Sequence, residues 1–146
     1  MSAVDRVSES HPHLAALDPS RLIAAAISSQ PAGELLSLLS ELDPWSLSAS
    51  DQLDLVVALD RHSSWISALG AQALAAVAGP MPEESAEDVD PFQVIDPVRD
   101  EVAAALRIAS STAAGRIAVA CDLDARLVAT ARLLAAGQLS YAKALV

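Results

Sequence analysis

Thirty-one alanines and twenty-one leucines run through this chain of 146 residues, against two Trp, one Tyr and one Phe. Alanine and leucine are the strongest helix formers, and strands are left short of the aromatic side chains they prefer. An all-α fold follows from that bias alone. Eight prolines and five glycines then mark where helices stop. The length suits a single domain of roughly 100–150 residues that buries about two-thirds of its unfolded surface.

Residues 1–17 read as a flexible polar tail and residues 18–146 as a single helical domain. Asp18-Pro19 pairs an N-cap with proline at the first helical position, and Leu22, Ile23, Ala26 and Ile27 form one apolar face until Gln30-Pro31. A second short helix, 33–42, presents Leu35, Leu36, Leu38, Leu39 and Leu42 and ends at Asp43-Pro44. The next element is long, 51–78, introduced by the cap candidates Ser48 and Ser50. Its heptad-like seam runs Leu55, Leu59, His62, Ile66, Leu69, Ala73, Val77, with Gly70 the one place where it could break.

Residues 79–97 hold four prolines and six acids and read as an acidic crossover, pinned at its far end by Phe92, Val94 and Ile95. Beyond it come a helix over 98–107 with Val102, Ala105 and Leu106 on one face, and a second capped by Ser110 or Ser111 and reaching about Asp122. A third covers 125–136 with Gly137 as its C′ residue, and a last begins near Ser140. The whole is expected to be a bundle of six or seven helices, with one long helix and a helix-turn-helix-like pair in its C-terminal third. Ala144-Leu145-Val146 carries no helix stop, so the expectation is a chain truncated inside a helix.

Composition excludes several classes. A lone cysteine, Cys121, forms no internal disulfide, no apolar run reaches the ~18–20 residues of a membrane span, and the N-terminus lacks a signal sequence. A cytoplasmic protein without cofactor or metal is expected. The formal charge is −10 and is unevenly spread. Residues 1–96 hold three arginines against fifteen acids, −12, whereas residues 97–146 hold five arginines and Lys143 against four acids, +2. Contact with a polyanion therefore belongs to the second half.

Chemistry finds few footholds. Cys121 follows Ala113 and Ile117 at helical spacing, which makes it an inward, inert thiol. His62 sits in the seam of the long helix, where a hydrogen bond to a neighbour is expected, and His11 and His13 flank Pro12 without a third ligand. Trp45 and Trp65 read as anchors of helix packing, with Arg61 four residues before Trp65 and able to stack on it. The glycines are too scattered for a phosphate loop, and the carboxylates have no partner group to give them distinct roles. No catalytic residue is assigned.

The strongest local signal is Glu101-Val-Ala-Ala-Ala-Leu-Arg-Ile-Ala-Ser-Ser-Thr-Ala-Ala-Gly-Arg-Ile-Ala-Val119. It resembles a helix-turn-helix: Ala103 faces the crossing helix, Leu106 and Ile108 fill the angle, Ser110 caps, and Ala113 and Ile117 pack inward. Arg107 stands where glycine is commonest. The candidate nucleic-acid contacts are Arg107, Ser111, Thr112 and Arg116. One basic and one acidic residue on the outward face, Arg116 and Asp122, make a weak DNA reader, since phosphate neutralisation supplies most affinity.

The acidic helix with Leu106-Arg-Ile108, then Ser110-Ser-Thr-Ala-Ala114, then Leu127-Val-Ala-Thr-Ala-Arg-Leu-Leu-Ala-Ala-Gly-Gln-Leu-Ser-Tyr-Ala-Lys-Ala144, resembles the 13E12-repeat family. That is domain of unknown function family 222, which precedes HNH endonuclease modules. Leu47-Ser-Ala-Ser-Asp-Gln-Leu53, Ala58-Leu-Asp-Arg61 and Trp65 are similar to the same domain's first long helix, so the resemblance spans about 47–146. It implies an all-helical N-terminal domain joined to a metal-dependent nuclease. An HNH site needs paired histidines with Asn, and here there is no Asn and no His after His62, so no catalytic residue carries over. Ser110-Ser111 also replaces a more usual Pro-Arg pair.

The resulting expectation is a non-catalytic helical domain of an HNH-endonuclease-associated protein, an interaction or accessory DNA-binding module. Two alternatives stand beside it. One is a truncated remnant of an HNH endonuclease without independent activity; the other is a stand-alone helix-turn-helix regulator, dimerising through the 55–77 stripe.

Overall fold

The computed structural model describes residue 14 and residues 17–79 and 96–144. Most of the expected tail, with His11 and His13, the crossover with Phe92, Val94 and Ile95, and residues 145–146 lie outside the described residues. Those described form seven α-helices and no strand: α1 Pro19–Ser28, α2 Gly33–Ser40, α3 Ala49–Ala78, α4 Asp96–Leu106, α5 Ser110–Ala125, α6 Val128–Ala135 and α7 Tyr141–Ala144. A 3-10 turn, Pro44–Ser46, precedes α3. The all-α bundle with one long helix is thus the observed fold. No single described helix is long and apolar enough to cross a membrane.

Helix starts follow local chemistry. Asp18 accepts the Arg21 amide at 3.1 Å, with Pro19 at the first helical position. Ser48 accepts the Asp51 amide at 3.2 Å and donates its hydroxyl to the Asp51 carboxylate at 2.7 Å, so cap and first-turn acid hold each other. α3 runs unbroken through Gly70, and its 30 residues extend about 45 Å.

The chain divides into two compact units, Met1–His62 and Ser63–Val146. In the first, Leu22, Ile23 and Ala26 of α1 meet Leu35 and Leu39 of α2 and Leu55 and Ala58 of α3. Each fully buried aliphatic side chain contributes about 1.5–3 kcal/mol. His62 is wholly buried here. Its Nδ1 lies 2.8 Å from the Ala58 carbonyl and its Nε2 accepts the Ala32 amide at 3.4 Å, so both ring nitrogens face backbone partners. The expected hydrogen-bonded core histidine is what the structure contains.

In the second unit, α5 is the central helix. Ala113 and Ile117 pack with Val102 and Ala103 of α4, joined by half-buried Val98, Ile108 and Cys121. Further along, Ala120 and Leu123 pack with Ala68 and Ala71 of α3 and Leu134 of α6.

Several packing expectations are corrected. Of the seam on α3, only Leu55 and His62 are buried; Leu59, Ile66, Leu69 and Val77 are exposed. The inner positions are Leu55, Ala58 and His62, then Ser64, Ala68 and Ala71. Small side chains allow close helix approach, so tertiary packing selected alanines where a search for large apolar residues picked their neighbours. Trp45 is 91% exposed on the 3-10 turn and joins no apolar cluster among the described residues, whereas Trp65 is half-buried. Leu106, expected to fill the angle between α4 and α5, is 47% exposed, because it is the last residue before the chain turns away. Ala105 is exposed as well; Val102 and Ala103 carry that face.

Candidate nucleic-acid interface

The corner between α4 and α5 is built by backbone hydrogen bonds. The Arg107 amide donates to the Ala104 carbonyl at 3.3 Å and the Ile108 amide to the Ala103 carbonyl at 3.0 Å, the paired bonds of a Schellman motif. Such a motif needs a left-handed residue at C′, and Arg107 supplies it with φ 56. Ile108 then folds onto the core beside Ala103. The two helices are bent by 109° across this three-residue turn.

Ser110 is not the cap expected of it. Ala109, extended at φ −64 and ψ 145, is the N-cap residue, and no side chain caps the helix. The Schellman turn spends only Arg107 and Ile108, so the helix begins one residue earlier than a serine cap requires. Close by, the Arg99 hydrogen bond at 3.0 Å holds the Asp100 carboxyl below the usual carboxylate range, opposed by desolvation and reinforced by the Arg99 charge and, least, by the Ser110 side chain.

All four candidate contacts are exposed. Ser111, Thr112 and Arg116 lie in the first two turns of α5, away from buried Ala113 and Ile117, and Arg107 stands at the corner ahead of them. Among the described residues neither Arg107 nor Arg116 belongs to an ion pair, whereas Arg99 is paired with Asp100 and Arg126 with Asp122. The uncapped amides at the start of α5 add a partial positive charge to the same place.

One further feature carried no sequence signal. A cleft of about 210 Å³ lies among α3, α5 and α6, walled by Ala68, Ala71, Ala120 and Leu134 with Gln72, Asp124 and Arg132 also lining it. It is smaller than ordinary small-molecule sites of ~300–1,000 Å³. Its walls come from the consecutive α5 and α6 and from α3, far earlier in the chain, which spacing alone does not bring together. Cys121 is half-buried against Ile117, and its thiol is pushed up, first by burial and then by the charges of Asp122 and Asp124. That is the opposite of an activated nucleophile. Among the described residues no group of three His, Cys, Asp or Glu side chains converges as metal ligands.

No curated protein and no solved structure matches the chain. The profile of the family described as Domain of unknown function (DUF222) matches residues 64–146, more than half of the sequence. The match starts one residue into the second compact unit and contains the whole α4–α5 corner. The chain therefore belongs to the DUF222 family, also known as the 13E12-repeat family.

Proposed function

We propose that this protein is a non-catalytic module that works by contact, an accessory DNA-binding domain of the HNH-endonuclease-associated kind, acting in the cytoplasm. The carrying observation is the α4–α5 corner, where a bend of 109° leaves Arg107, Ser111, Thr112 and Arg116 exposed together. Helix-turn-helix units use such an angle to let one helix cross the backbone while the start of the next reaches the groove. The non-catalytic half of the reading rests on the absence of Asn, the lack of histidine after His62 and the inert Cys121 thiol.

Two arginines on phosphates release about two counterions, so binding is modest and its log–log salt slope lies near −1.8. The test titrates a labelled duplex with the full chain and with Arg107→Gly/Arg116→Ala at several salt concentrations. Glycine is chosen at 107 because it keeps the left-handed turn while removing the guanidinium. Weaker binding with a flatter slope is expected. Unchanged affinity and slope would overturn the assignment.

A further inference from the structure

The cleft among α3, α5 and α6 lies within the second unit, and its lining has two parts. Ala68, Ala71, Ala120, Leu123 and Leu134 are buried and form its floor, whereas Gln72, Asp124 and Arg132 are exposed and form its mouth. Helical spacing produces this division. α3 supplies Ala68, Ala71 and Gln72, and α5 supplies Ala120, Leu123 and Asp124, both at i, i+3 and i+4. One polar side chain thus follows two apolar ones on the same helix face. α6 repeats the spacing with Val128, Ala131 and Arg132. The alanines leave the space, since a methyl group does not reach the opposite wall where three helices meet.

The polar groups at the mouth decide what fits. Asp122 is paired with Arg126 at 3.4 Å, whereas among the described residues Asp124 and Arg132 belong to no ion pair. The Gln72 amide makes no side-chain hydrogen bond among them either. A carboxylate, a guanidinium and an amide therefore frame an aliphatic floor, each available to a ligand. A ligand with a carboxylate alone gains Arg132 but meets repulsion from Asp124, and an amine alone meets the reverse. A nucleotide or a long acyl chain exceeds about 210 Å³. A small aliphatic molecule carrying both charges at one end satisfies floor and mouth together.

We infer that the cleft binds a free aliphatic α-amino acid. Its side chain enters the alanine-walled floor, its carboxylate takes the Arg132 guanidinium and its ammonium faces Asp124. Gln72 adds an amide that donates to the carboxylate or accepts from the ammonium. The site shares no side chain with the α4–α5 corner, so ligand titration and DNA titration succeed or fail separately.

The experiment titrates the full chain with L-leucine and follows backbone amide chemical shifts. Isocaproate, which is leucine without its ammonium, and isoamylamine, which is leucine without its carboxylate, are the comparators. Expected are saturable shifts at Ala71 and Ala131 with leucine, and binding at least about tenfold weaker for either comparator. In Arg132→Gln leucine should bind no better than isoamylamine, and in Asp124→Asn no better than isocaproate. Both positions are exposed, and an unchanged circular dichroism spectrum verifies the fold of each variant. Absence of a saturable shift with leucine at millimolar concentration overturns the inference. Equal binding of leucine and both comparators also overturns it, because the cleft then takes apolar groups without reading charge. Leucine affinity unchanged in both variants does the same, since binding is then elsewhere.

Discussion

At the level of single residues, Arg107 occupies a backbone conformation, φ 56, that an L side chain reaches at a cost of about 1–2 kcal/mol. Arg107→Gly relieves that strain and gives back part of it as unfolded-chain entropy. The net gain is expected to be about 1 kcal/mol, seen as a melting midpoint roughly 2–4 °C higher. A lower midpoint would mean that the guanidinium holds the corner. Cys121 yields a second expectation. Its raised thiol is protonated at neutral pH, so iodoacetamide should modify it more slowly in the native chain than in denaturant. The stability tied to that thiol is present at and below neutral pH and is lost as pH rises past the ordinary thiol value of about 8.5. Cys121→Ala should flatten that alkaline decline in a pH series of urea melts. Residue identity was legible in the sequence for Cys121 and His62, whose inward spacing named their environment. For Trp45 it was not, because an aromatic side chain reads as core until the absence of a covering element is seen.

At the level of elements, the ends set by side-chain chemistry were readable, and those set by the backbone were not. Asp18, Ser48 and Gly137 mark their helix ends through contacts within a few residues, and Gly137 adopts φ 66 as a C′ glycine. α5 instead runs three residues past Asp122, to Ala125. There the Asp122 carbonyl accepts the amides of both Arg126 and Leu127, at 2.9 and 2.8 Å, with no proline or glycine as a marker. α6 starts accordingly at Val128. Gly70 was a possible break, yet α3 is helical through it, and a Cβ there would meet open space. Gly70→Ala should therefore stabilise the chain by about 0.5–1 kcal/mol, measured as a higher urea midpoint at constant slope. A loss of stability would show that the helix yields at this point.

At the level of the whole molecule, the coincidence between the family match at 64 and the compact unit starting at Ser63 has a direct consequence. A fragment of residues 63–146 contains both clusters packed around α5, so it should melt cooperatively with a helical spectrum. A broad, non-cooperative transition would mean that this half needs residues before Ser63. The sequence by itself determined the all-α class, the long helix, the order of elements and the family. Each of these follows from propensity, short-range capping or a contiguous motif. The tertiary structure alone decided which face of each helix is buried. Alanine is small enough to be chosen wherever two helices approach closely, and in a chain with an alanine on almost every face only the neighbours determine which ones are used. For the same reason the candidate DNA corner was found as a motif. The exposure of Trp45 became visible only once the described residues around it were placed.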